Sequence, residues 1–372
     1  MKKIFIIAIA AVTALSCTGK KAGYTITVDC QDPDFTSFIL TDQDRETPLS
    51  DTVAVVDGKA TFTGKVDGFD VRYVLARMGE AQPIFVKRVF LENAEYTVTV
   101  PEGFSPSIPS ELVSNSKLQM QVDSVQNLIS AIYEGIDMKQ LQKEFKNGNQ
   151  AVRDSISTLL DELSDKASAI EEKFMTENPL SPMALEMAAS SIRYIGLDSA
   201  KKVAEKFEAV PEYASNRIFK NIQKEVAKKE ALAPGKQAPD FTLNTPDGTP
   251  VKFSEVYPQN KVTMVDFWAS WCGPCRKFNP TLTKIYAKYS KKGFGILGVS
   301  LDREKDKWLE AIKADKLVWK HVSDLQYWDS QAAKLYNISF IPQSYFVDSQ
   351  GTILLASPEE DQIESFLEEY LK

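Results

Sequence analysis

The chain has 372 residues, of which 43% are hydrophobic and 26% charged, with a net charge of −7. That length holds two or three cores rather than one, and the acidic balance offers no basic face for nucleic acid. Four Cys and a single His supply neither the converging ligands of a structural zinc site nor a disulfide framework, and no other metal or cofactor is expected.

Lys2 and Lys3 precede an apolar run from Ile4 to Ser16 that is interrupted only by Thr13. The run is short for a bilayer span and has the layout of a signal peptide, assigned to residues 1–16. Ala14-Leu15-Ser16-Cys17 resembles the lipobox of bacterial lipoproteins, with Ala14 where Leu is usual. The resemblance implies lipidation at Cys17, with residues 17–23 as the linker to the anchor. The alternative is simple cleavage that leaves Cys17 a free thiol. Either route takes the protein out of the cytoplasm, and no second stretch is long and apolar enough for a transmembrane helix.

Residues 24–105 read as a β-rich domain. Tyr24-Thr25-Ile26-Thr27-Val28 alternates as a half-buried strand does. Thr52–Val56 and Lys59–Thr63 flank Asp57-Gly58, a strong hairpin signal because both turn residues tolerate positive φ. Val71–Ala76, Ile84–Leu91 and Tyr96–Val100 complete a small antiparallel β-sandwich or open barrel. Cys30, alone on a strand, reads as a small core residue.

Residues 111–231 change character. Leu159, Leu160, Leu163, Ala167, Ile170 and Phe174 recur at helical spacing. Asn178-Pro179-Leu180-Ser181-Pro182 breaks one helix and caps the next. A bundle of four or five helices is expected, its apolar stripe being core.

Residues 234–372 alternate strands and helices. Strands are expected at Val262–Ala269, Phe294–Leu301, Ser344–Val347 and Thr352–Ala356, and helices at Pro274–Ser290, Lys305–Asp315 and Glu359–Tyr370. This is the pattern of an α/β sheet covered by helices on both faces. The complete chain is thus multidomain: a β-sandwich or barrel, a helical region, then an α/β domain.

The chemistry concentrates in Trp271-Cys272-Gly273-Pro274-Cys275, which follows the apolar strand ending near Ala269. A thiolate at Cys272 would face unpaired N–H groups and the positive end of a helix dipole, which lowers a thiol pKa below its free value of roughly 8.5. Gly273 and Pro274 turn the chain into the helix at little cost. Cys275, three residues on, lies one turn inward and can expel whatever Cys272 captures.

This segment resembles the active-site loop of thioredoxins. The stretch from about Pro234 onward, including Gly235-Lys236-Gln237-Ala238-Pro239-Asp240-Phe241, resembles extracytoplasmic thioredoxin-like oxidoreductases of the TlpA and ResA type, and implies a thioredoxin fold. The resemblance implies further roles. Ile341-Pro342 corresponds to the cis-proline dipeptide that faces the cysteine pair and lines up a substrate chain. Asp266 corresponds to the buried acid that relays a proton for Cys275. Trp271 flanks the nucleophile and shapes the docking surface, whereas Trp268 is read as core. The sequence departs from the pattern in three places. No Lys occurs in Ile296–Val299, Phe278 replaces an acidic residue, and Gln343 follows Pro342 where Thr is common. His321, the only histidine, is expected to be a packed or surface residue. Leu49–Val53, Asp57–Gly64 and Val89–Asn93 resemble an uncharacterised β domain that precedes thioredoxin-like domains in Gram-negative lipoproteins.

The resulting expectation is an enzyme of the cell envelope, periplasm-facing and lipid-anchored. It would reduce or isomerise disulfides of exported proteins through the Cys272/Cys275 dithiol, drawing electrons from a membrane thiol relay. The Gly-Pro dipeptide between the cysteines is that of reducing thioredoxins. Two other readings stand beside it. One is a thiol peroxidase of peroxiredoxin type, which needs Thr or Ser where Ala269 stands. The other is a partner-binding scaffold lipoprotein in which the redox pair is secondary.

Overall fold

The structure is a computed structural model that describes residues 22–42, 52–105 and 110–372. The expected signal peptide, the expected lipidation at Cys17 and most of the expected linker fall outside the described residues, as does Leu49-Ser50-Asp51. The chain divides into two compact units: residues up to Met187 with Phe207–Lys220, and Ala188–Lys206 with Asn221–Lys372.

Among the described residues the first unit begins with eight strands: β1 (Tyr24–Cys30), β2 (Ser37–Thr41), β3 (Thr52–Ala54), β4 (Lys59–Gly64), β5 (Asp70–Arg77), β6 (Ile84–Leu91), β7 (Glu95–Val100) and β8 (Glu111–Ser114). They form two four-stranded sheets, ordered β4-β1-β7-β8 and β3-β2-β5-β6. Ile26, Val28 and Val98 of one sheet and Phe38, Val74 and Val89 of the other lie in one core with no exposed surface. Alternation along the strands supplies these inward side chains, and two such faces bury each other as a sandwich.

Three sequence expectations need correction here. The sandwich is not purely antiparallel, because β1 runs parallel to β7. The Asp57-Gly58 turn forms with φ of 50° and 72°, yet only Val56 and Lys59 pair across it. β3 then joins β2 while β4 joins β1, so the turn is a corner between sheets rather than the tip of a ladder. Finally, residues 111–114 are not helical: β8 completes the first sheet beside β7.

Six described helices follow: α1 (Lys117–Ile132), α2 (Met138–Asn147), α3 (Gln150–Glu177), α4 (Pro182–Ser191), α5 (Leu197–Glu208) and α6 (Arg217–Ala231). The boundary between the units cuts α4, α5 and α6, so the helices are not the self-contained bundle expected from their periodicity. In α3 only Ile156, Leu163 and Phe174 are buried. Leu159 of the expected apolar stripe is 38% exposed.

The second unit holds a small hairpin of β9 (Thr242–Asn244) and β10 (Pro250–Lys252), and a five-stranded sheet. Its strands are β11 (Val262–Trp268), β12 (Phe294–Ser300), β13 (Lys320–Val322), β14 (Gln343–Asp348) and β15 (Ile353–Ala356), in the order β13-β12-β11-β14-β15. β11, β12 and β13 are parallel, and β14 runs against β11. All seven residues of β11 and of β12 are buried, the mark of central strands covered on both faces. The remaining helices are α7 (Gly273–Tyr289), α8 (Lys305–Ala314), α9 (Gln331–Leu335) and α10 (Glu360–Tyr370). The architecture is therefore a β-rich front, a helical middle and an α/β thioredoxin-like domain. β13, too short to read from its pattern, carries His321.

Candidate active site

β11 ends at Trp268, and Ala269-Ser270-Trp271 carries the chain into α7, whose N-cap is Cys272. The amide of Cys272 donates to the Ala269 carbonyl at 3.1 Å. The amide of Cys275 donates to Cys272 Sγ, also at 3.1 Å. The sulfur therefore occupies the place an N-cap oxygen usually takes, where helix amides and the macrodipole favour negative charge. Gly273 and Pro274 form the first turn, where the missing proline N–H leaves no bond unmade. Cys272 and Cys275 are joined as a disulfide.

The two cysteines are 4% and 2% exposed. In the oxidised state only an edge of Cys272 meets solvent, because both sulfurs sit within the domain core. Trp271, 45% exposed, lies on the outer side. Its ring is 5.0 Å from that of Tyr327 and 5.9 Å from that of Trp328, while the Arg303 guanidinium lies 4.3 Å over Tyr327. Trp268 has no exposed surface.

Asp266 lies on β11 two residues before its end and is 5% exposed. Burial pushes its carboxyl up to about 7. Asp266, Pro274, Phe278 and Pro342 all border one crevice of about 620 Å³, so β11, the start of α7 and the loop before β14 meet there. The Ile341–Pro342 peptide is cis, and Ile341 packs half-buried against the core. Gln343 opens β14 opposite Phe267. Phe278, where an acid is usual in the resembled family, puts an apolar wall on the crevice and leaves Asp266 as its buried carboxylate.

Sequence reasoning missed the residues that hold the reactive turn. Asp302, 1% exposed, follows β12. It accepts from the Ser270 amide at 3.0 Å, from the Ser270 hydroxyl and from the Ser300 hydroxyl at 2.7 Å. Arg276 donates to the Ser270 carbonyl at 3.1 Å. The same guanidinium makes a bidentate pair with Asp315, which also accepts from Asn279. One signal for Asp302 was available: it sits just past the carboxyl end of a central parallel strand, where α/β sheets gather their sites. Tyr327 and Trp328 come from a loop that no motif marks.

The arrangement can carry out thiol–disulfide exchange. An ionised sulfur at a helix N-cap attacks, a second sulfur at bonding distance displaces, and a buried carboxyl near neutral pKa can exchange protons close by.

Comparison with known proteins agrees with this chemistry. Residues 234–356 match the AhpC/TSA family model, and residues 24–124 match a domain of unknown function, DUF4369. The chain is 28% identical over 146 residues to thiol-disulfide oxidoreductase ResA of Bacillus cereus, covering 39% of this chain and 81% of that protein. It is 29% identical over 143 residues to ResA of Geobacillus kaustophilus, covering 38% and 79%. A solved thiol-disulfide oxidoreductase from Bacteroides fragilis shows 34% identity, covering 36% of this chain and 98% of that one, with a TM-score of 0.34. Residues 234–356 are thus a thioredoxin-like domain of AhpC/TSA type that is similar to ResA proteins, and the chain is a thiol–disulfide oxidoreductase whose amino-terminal residues match a domain of unknown function.

Proposed function

We propose that the protein reduces or isomerises disulfides of exported proteins, with Cys272 as nucleophile and Cys275 as resolving thiol. The Cys272 thiolate attacks one sulfur of a substrate disulfide, forming a mixed disulfide and releasing the other sulfur as a thiolate. Cys275, deprotonated, then attacks Cys272 Sγ. The substrate leaves as its second thiolate, and the Cys272–Cys275 disulfide forms, so two electrons pass to the substrate. Asp266 takes the proton of Cys275, and Pro342 with Ile341 presents the backbone along which the substrate chain lies. Trp271 with Gly273 and Pro274 forms the rim it meets. The observation that carries this reading is the Cys272 sulfur at the N-cap of α7, accepting the Cys275 amide.

The redox direction follows from the Gly-Pro dipeptide. Equilibrium with dithiothreitol should give a potential near that of reducing thioredoxins, about −270 mV. A value near that of a strong oxidase, about −120 mV, would assign the opposite direction. Continued turnover then calls for a membrane thiol relay as electron donor.

The basic-apolar amino terminus ending at Cys17 supports a periplasm-facing, lipid-anchored location. No described helix is long and apolar enough to cross a membrane. Cys17→Ser should shift the protein from the membrane fraction to the soluble fraction and abolish incorporation of labelled fatty acid.

The AhpC/TSA match keeps a peroxidase reading in view. Peroxide chemistry by this domain would need a hydroxyl three residues before the reactive sulfur, and Ala269 there is an apolar residue without exposed surface. Rapid peroxide consumption by Cys275→Ser would favour that reading.

A further inference from the structure

The crevice at the reactive turn has a neighbour. A second cavity, of about 310 Å³, lies on the other side of the Pro342 loop. The two cavities share five wall residues: Phe340, Pro342, Gln343, Pro358 and Glu359. A chain lying along Pro342 would therefore border both. The far wall of the second cavity comes from outside the segment that matches the family model. It is built by the turn between α4 and α5, with Arg193, Tyr194 and Gly196, and by Lys229 of α6.

Tyr194 is the informative residue. It is 62% exposed, and its ring lies 5.6 Å from that of Phe340, two residues before Pro342. The turn that carries it is anchored behind: Ile192 is 1% exposed, the Tyr194 amide donates to Ser191 O at 2.9 Å, and Lys229 Nζ donates to Arg193 O at 3.1 Å. A large amphipathic ring held on a fixed turn beside a substrate-lining segment has the properties of an interface anchor, apolar in body and polar at its tip.

We propose that Tyr194 and Phe340 form a specificity subsite for an aromatic or large aliphatic side chain about two residues from the reactive cysteine of a protein disulfide. The inference rests on the reductase or isomerase reading above and gives the helical region a task in it. A substrate in extended conformation along Pro342 advances about 3.3 Å per residue, so a side chain two positions on reaches the Phe340 end of the loop. There the two rings offer a stacking surface with apolar contacts from Leu197 and Pro358 in the same cavity. The occupant is an extended peptide rather than a small molecule, because the cavity shares its Phe340, Pro342, Gln343, Pro358 and Glu359 wall with the reactive crevice.

The test uses the full chain, reduced, and two disulfide-linked peptide dimers identical except for Phe or Ser two residues after the single Cys. Oxidation of the enzyme is followed by stopped-flow tryptophan fluorescence over a range of peptide concentrations. The wild type should half-saturate at about five- to tenfold lower concentration with the Phe peptide than with the Ser peptide. Tyr194→Ala should reduce that preference to less than about twofold, and Tyr194→Phe should restore it. Equal half-saturation by the two peptides in the wild type, or an undiminished preference in Tyr194→Ala, overturns the subsite while leaving the reductase reading in place. Failure of the wild type to oxidise with either peptide overturns both.

Discussion

Asp266 and His321 occupy one row of the sheet, two strands apart, with only Gly298 between them. Asp266 pairs with Gly298 across β11 and β12, and Gly298 pairs with His321 across β12 and β13. Residues in register across a sheet project to the same face, so a buried acid and a buried base share that face. Burial holds the two in opposite senses. It pushes the Asp266 carboxyl up to about 7, and it pushes the His321 imidazole down to about 3 against a smaller opposing influence of the Leu317 backbone. Both groups are thereby kept neutral in part of the pH range where their unfolded counterparts are charged.

For Asp266 the folded value lies above the unfolded one. The stability it contributes is present below about pH 4 and is lost as pH rises through about 7. Asp266→Asn should therefore be more stable than the wild type at pH 8, by an amount on the order of 4 kcal/mol at most, with the difference vanishing near pH 4. Urea denaturation of both proteins across this range measures the difference.

For His321 the folded value lies below the unfolded one. Its contribution is complete above about pH 6.5 and is lost as pH falls toward about 3. His321→Gln should lower stability at pH 7 but flatten the acid limb of the stability curve below pH 6. Thermal melts at pH 4, 5, 6 and 7 check the slope.

Gly298 is where the row tolerates no side chain. A Cβ there would come within 3.2 Å of the Trp268 indole nitrogen and closer still to the His321 ring. Both neighbours are fully or nearly fully buried, so neither can swing into solvent. Gly298→Ala should cost about 1–3 kcal/mol, read as a lower urea midpoint with an unchanged slope. An uncompensated gain in stability would show that the imidazole has room to move.

Asp302 holds the reactive turn through Ser270. Its carboxylate accepts from both the amide and the hydroxyl of Ser270, two residues before Cys272. Asp302→Ala leaves those donors unmatched and should cost roughly 2–4 kcal/mol. Asp302→Asn keeps one acceptor. It should lower the limiting rate of peptide disulfide reduction about tenfold while the half-saturating concentration stays put, a split that loss of folded protein alone would not produce.

The redox pair was legible in the sequence because its chemistry is local. A strand, a turn and a helix start are consecutive, and the Cys272 environment follows from that succession. The buried strands β11 and β12 were legible as continuous apolar runs, and Pro342 through its Ile-Pro resemblance. What was not legible is long-range. Asp302 and Tyr327 reach the site through loops whose composition is ordinary, and only strand order brings them there. Asp57-Gly58 shows the same limit in the front unit: local turn chemistry fixed the bend, but the partner strands were chosen by the core. β8, four residues long, and β13, three residues long, are held by their neighbours rather than by their own pattern.

The proposed exchange requires Cys272 to be an easily ionised nucleophile and Cys275 a shielded resolving thiol. The direct measurement is the pH dependence of iodoacetamide alkylation of the reduced protein, with the modified cysteine located by peptide mass. Modification is expected at Cys272 alone, with a rate that titrates below the free thiol value of about 8.5. Alkylation first at Cys275, or a Cys272 rate that titrates at or above about 8.5, would contradict it.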